Sequence, residues 1–124
     1  MPMDLQTQRS LEEFLRLLDL YPCRVETRME FCLPPFRLYI EYTQGRVLLS
    51  LASKVDAYHR LNTLKALLGR CQPASTQGIP LRACILKEYQ MLSCGLVPGS
   101  DVNQWVNCLL VMRRLLALHT GERL

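Results

Sequence analysis

The hydrophobic period changes along this chain, and that change limits the folds open to it. Leu11, Phe14, Leu15 and Leu18 recur every three or four residues, the spacing that gathers side chains on one face of a helix. From Val25 the period drops to two. Val25, Thr27, Met29, Phe31 and Leu33 alternate with Arg24, Glu26, Arg28, Glu30 and Cys32, as in a strand with one wet face. After the break at Pro34-Pro35, Phe36, Leu38, Ile40 and Tyr42 repeat the alternation against Arg37, Tyr39 and Glu41, and Gln44-Gly45 turns the chain. A third strand, roughly Arg46 to Ser53, carries Val47, Leu49 and Leu51 on one face and Leu48 on the other, which leaves room for cover on its second face.

Local signals set the expected ends of these elements. Ser10-Leu11-Glu12-Glu13 fits the S-x-x-E capping box and predicts the start of the first helix there. Tyr21-Pro22 predicts its stop, because proline lacks an amide hydrogen and disfavours helical geometry in the residue before it. Asp56 is the expected N-cap of a second helix running to about Arg70, with Ala57, Leu61, Leu64 and Leu68 on one stripe that Leu67 widens. "CQPASTQG" then reads as a surface loop. Leu81 to Leu86 and Tyr89 to Cys94 have strand length, and Lys87-Glu88 falls where a two-residue turn would, although that pair is not a favoured one. Ser100 or Asp101 is the N-cap of a last helix to about His119, with Val102, Trp105, Val106, Leu109, Met112 and Leu116 as its stripe. The expected fold is α+β: a single domain over residues 1–124, in the order α-β-β-β-α-β-β-α, with an antiparallel sheet packed against helices.

Composition narrows the function. The chain has 124 residues, 49% of them hydrophobic, enough for one core and too few for two. No apolar run reaches the roughly 20 residues of a membrane span, and the N-terminus has no signal-peptide pattern, so a cytoplasmic protein is expected. The cysteines, Cys23, Cys32, Cys71, Cys84, Cys94 and Cys108, stand singly with no C-x-x-C pair and read as reduced core thiols; Cys84 facing Cys94 across the hairpin is left open, without a disulfide. Histidines are limited to His59 and His119, glycines are scattered, and a Cys71–His59 nucleophile pair would lack an oxyanion loop. No catalytic residue, metal or cofactor is expected.

Charge and spare apolar surface leave two binding readings. Between Arg46 and Lys87 stand seven lysines and arginines against Asp56 alone, a net of +6 in a chain of net +4. The first seventy residues, α-β-β-β-α with a basic second helix, would also suit a small double-stranded-RNA-binding domain. Those domains, however, cluster lysines where this chain reads Asp56-Ala57-Tyr58-His59-Arg60, leaving Arg60 and Lys65 as a weak match. Leu48, Ile85, Met91 and part of the helix-two stripe exceed what one core needs and point to a protein interface.

The element order, together with "IPLRACILKEYQMLSCGLVP", "RVLLSLASKVDAYHR" and the leucine-rich last helix, resembles the class I chaperones of type III secretion, and among them the SycN-type subunit. The resemblance runs from Leu11 to Leu118. It implies a bacterial, non-enzymatic subunit that works without ATP and keeps the N-terminal segment of a secreted protein, here the gatekeeper, competent for export. It further implies a cargo groove around Leu11, Phe14, Leu15, Leu18, Val25, Met29, Leu38 and Ile40. Dimer contacts are implied at Leu61, Leu64, Leu68, Leu81, Ala83 and Ile85. Family members are commonly acidic, whereas this chain has a pI near 8.8. A basic midsection suits pairing with a different, acidic small chaperone, because complementary charge speeds encounter and disfavours self-pairing.

Overall fold

A computed structural model describes residues 3–20, 24–55, 57–70, 78–97 and 99–117. The elements are α1 (Leu5–Leu17), β1 (Arg28–Leu33), β2 (Phe36–Thr43), β3 (Arg46–Lys54), α2 (Arg60–Arg70), β4 (Arg82–Leu86), β5 (Tyr89–Leu96) and α3 (Val102–Ala117), with a 3₁₀ turn at Ala57–His59 leading into α2. The five strands form one antiparallel sheet in the order β1-β2-β3-β5-β4. The α-β-β-β-α-β-β-α order and the α+β class expected from the sequence are both present. No helix among the described residues is long and apolar enough to cross a membrane.

Alternation decides which side chains the sheet turns inward. Phe36, Leu38 and Ile40 of β2 pair across with Ser53, Leu51 and Leu49 of β3, and Leu51, Leu49 and Val47 pair in turn with Leu92, Cys94 and Leu96 of β5. Onto this face α1 sets Leu11, Phe14 and Leu15, α2 sets Leu67, and α3 sets Trp105, Cys108, Leu109, Met112 and Leu116, all buried in one cluster. Phe14 meets Trp105 edge to face, with centroids 5.8 Å apart. Gln90, fully buried, donates through Nε2 to Ser53 Oγ at 2.7 Å and to the Leu116 carbonyl at 3.1 Å, tying β5 to β3 and to the end of α3.

The element ends differ from the expected ones, for local reasons. Helix α1 starts six residues ahead of Leu11, with Asp4 as N-cap; its Oδ2 accepts the Thr7 amide, and that hydrogen bonding holds the Asp4 carboxyl below the usual carboxylate range. Ser10 lies inside the helix, and Glu13 pairs with Arg16 instead of closing a box. The helix stops before the proline is reached. Asp19 takes a left-handed φ of 58°, Leu20 N–H donates to the Leu15 carbonyl and Asp19 N–H to that of Arg16, which is a Schellman ending. Tyr21-Pro22 and Asp56 lie outside the described residues, as does most of the loop after α2.

The turns and the last cap are simpler. Gln44 and Gly45, at φ 53° and 72°, make the left-handed pair that matches strand twist. The hairpin at Lys87-Glu88 is as short as the sequence allows, and Lys87 alone takes a positive φ, 56°, while the Glu88 carbonyl accepts from Val55 N–H at 2.7 Å. Asp101, not Ser100, caps α3: its Oδ1 accepts from Asn103 N–H, and Gln104 Oε1 accepts from Asp101 N–H. Ser100 serves the core by accepting Trp105 Nε1–H at 2.7 Å.

Candidate functional site

With all three helices on one face, two kinds of surface remain for a partner: the outward side of the helices and the bare face and edges of the sheet. Sequence reasoning placed the cargo groove on eight apolar residues, and the structure divides them. Leu11, Phe14, Leu15, Leu38 and Ile40 are at most 2% exposed. They build the core, and a partner cannot touch them while the fold is intact. Leu18, Val25 and Met29 are half-buried at the margin of the same cluster, on the α1 and β1 side. The reason for the difference is that a period of two or 3.6 marks an apolar face without saying whether another element already covers it.

The residues expected at a dimer contact also fall into two groups. Leu81, Ala83 and Ile85 are half-buried; on β4, Ala83 and Ile85 point to the side that α2 covers. Leu61 and Leu68 stand on the opposite side of α2, 63% and 57% exposed, with Leu64 half-buried between them. The core-facing side of α2 is instead Thr63 and Leu67, 6% and 0% exposed. The leucine stripe read from the sequence is therefore real but faces water. Tyr58, 93% exposed, precedes that stripe, and Leu86, 60% exposed, stands on the bare side of β4. Neither was singled out from the sequence, and only its continuity with Leu61 at helical spacing could have pointed to Tyr58.

The cysteines do not form one class. Cys94 and Cys108 are buried, and the Cys94 thiol, hydrogen-bonded to Cys108 and desolvated, is pushed well above the usual thiol range, so it stays protonated and inert. Cys32 and Cys84 are exposed rather than buried, because each falls on the outward parity of an edge strand. Cys84 sits opposite Met91, not Cys94. Cys23, Cys71 and His119 lie outside the described residues, so the Cys71–His59 pair does as well.

The bare face of the sheet carries mostly polar and small side chains, with Leu48, Met91 and Leu86 among them. Arg37 on β2 is ion-paired with Glu30 on β1 at 3.0 Å, which raises the arginine's pKa. Ser50 and Ser93 share a hydrogen bond at 2.9 Å. No helix among the described residues covers this face, against the cover allowed for behind β3; Leu48 is half-buried there, and Ser50 and Ala52 are shielded by their cross-strand neighbours.

A five-stranded antiparallel sheet in the order β1-β2-β3-β5-β4, with three helices on one side and an apolar helix stripe left outside, defines the α+β class of this chain. The chain matches the SsaM family model over residues 4–118 and belongs to that family. It is 29% identical over 106 residues, 86% of either chain, to the secretion system apparatus protein SsaM of Salmonella typhimurium. Among solved structures it is similar to a chain of the heterodimeric ExoU–SpcU complex from the type III secretion system of Pseudomonas aeruginosa. That likeness has a TM-score of 0.60 and 19% identity, over 90% of this chain and 99% of that one. YbjN from E. coli is similar at a TM-score of 0.58 and 11% identity, over 94% and 90%. At such identities the two structures show a shared fold, and the family membership rests on the SsaM family model.

Proposed function

We propose that this protein is a non-enzymatic chaperone subunit of the bacterial cytoplasm. It binds the N-terminal segment of a type III secreted protein, in the first place the gatekeeper of the apparatus, and keeps it fit for export. It works as a dimer, paired with a second small class I chaperone rather than with a copy of itself.

The observation that carries this reading is the outward leucine stripe of α2. Burying a leucine side chain stabilises by roughly 1.5–3 kcal/mol, so Leu61 and Leu68 together would add several kcal/mol to association and contribute nothing while they face water. Beside them β4 is an edge strand with one unpaired side, and the stripe with that edge forms the dimer surface. At the far edge β1 is likewise paired, among the described residues, only with β2. An extended cargo segment can add to it as a strand, with Leu18, Val25 and Met29 as the apolar rim that fixes its register. The basic midsection favours an acidic partner subunit over self-pairing.

The test is co-expression of the chain with the genes beside its own, followed by native mass and identification of the copurifying chains. A complex with one small chaperone and one longer secreted protein is the expected result. Leu61→Glu/Leu68→Glu should release the small chaperone. A well-behaved monomer with no companion would overturn the reading.

A further inference from the structure

The basic stretch noted in the sequence does not spread evenly over the fold. Arg46 opens β3 and Arg82 opens β4. Both point to the bare face, because Arg46 shares the parity of Leu48 and Arg82 pairs with Ser93. Between them, on β5, is Gly95, directly opposite Leu48. Both arginines line a concavity of about 310 Å³ whose other walls include Thr43, Pro80, Leu48 and Ser93. Gly95 sits at its floor, where an added Cβ would meet nothing within 4 Å.

Unpaired charge and concave shape coincide at this hollow. Arg37, at the other end, is neutralised by Glu30, whereas Arg46 and Arg82 have no ion-pair partner among the described residues. No acidic residue lines the concavity. Two exposed guanidiniums around an unfilled hollow present forked donors with no acceptor, the arrangement that binds a carboxylate through paired hydrogen bonds.

We infer that this hollow seats a carboxylate side chain of an extended, acidic segment of a partner protein lying along the bare face of the sheet. The inference deepens the chaperone reading and rests on it for the nature of the partner. Nucleic acid fits less well, since Glu41, directly opposite Leu48 on the same face, would repel a phosphate backbone, while a peptide with one or two carboxylates tolerates it. The apolar walls, Leu48 and Pro80, suit the neighbouring side chains of a peptide.

The probe is a ten-residue amidated peptide of alternating serine and valine with one central glutamate, compared with its glutamine twin, on the full chain. The glutamate peptide should bind about tenfold more tightly, the difference a charge-assisted pairing carries, lose affinity with added salt, and shift the amide resonances of Ser93, Gly95 and Thr43. Arg46→Ala/Arg82→Ala should remove the discrimination. Gly95→Asp should do the same by placing a carboxylate in the hollow, where its Cβ has room. Equal binding of the two peptides, no binding of either, or tighter binding of a thymidine oligonucleotide through the same arginines would each overturn the assignment. Copurification separates this result from the fate of the chaperone reading. If wild type and the double alanine variant capture the same secreted protein equally, the chaperone reading stands and the arginine site falls. If the wild type captures none while the peptides are discriminated, the arginine site stands and the chaperone reading falls.

Discussion

Helices α2 and α3 both carry leucines at helical spacing, yet α3 turns its stripe into the core and α2 turns its own away from it. The difference lies in what each helix rests on. Helix α3 crosses β3 and β5, the middle of the sheet, where Val47, Leu49, Leu51, Leu92 and Leu96 offer a continuous apolar floor. Helix α2 lies over β4 at the edge, where a five-residue strand presents Ala83 and Ile85. Leu67 and Thr63 suffice to fill that narrow contact, and the remaining leucines of α2 are left for a partner. Amphipathicity alone does not assign a stripe to the core; the width of the apolar floor beneath the helix does.

Mutations can break this contrast. The largest loss is expected from Leu116→Ala in α3: a fully buried leucine in the central cluster whose truncation should cost about 3 kcal/mol, read as a fall in denaturation midpoint at unchanged slope. Gln90→Ala comes next, at about 2 kcal/mol, because it leaves the Leu116 carbonyl and Ser53 Oγ without the Nε2 donor they now share in a buried site. Lys87→Gly should act in the opposite direction. Removing the side chain from a residue held at φ 56° should stabilise the chain by about 1 kcal/mol, measured by the same unfolding experiment. The smallest effect on the chain's own stability belongs to Leu61→Glu/Leu68→Glu, within about 0.5 kcal/mol. Glutamate has nearly the helix propensity of leucine, and both positions face water. A large loss of monomer stability from that pair would show that α2 buries the stripe after all and would erase the contrast.

Much of the fold was legible because strand parity and helix period are local. The alternation from Met29 to Leu33 and from Phe36 to Ile40 named the inward residues correctly, and each inward set meets its cross-strand partners in register. The cap of α1 was not legible in the same way. A perfect S-x-x-E pattern at Ser10 competed with the weaker signal at Asp4, and the polar residues Gln6, Gln8 and Arg9 near the helix start hid the beginning that buried Thr7 and Leu11 reveal. Five of the eight residues expected around a cargo groove lie in the core instead of at the surface for a related reason. Leu38 and Ile40 were recognised as the apolar side of β2, but whether that side meets solvent or a helix depends on where α1 and α3 lie.

The sequence by itself determined the class of the fold, the order of its elements and the inward parity of its strands, since each follows from the backbone geometry of a few consecutive residues. Tertiary structure alone decided that the α2 leucines stay outside, that Cys32 and Cys84 reach solvent while Cys94 and Cys108 do not, and that Arg46 and Arg82 meet around Gly95. These are relations between residues distant in the chain, and they exist only once the long-range strand pairings and helix docking have closed the core.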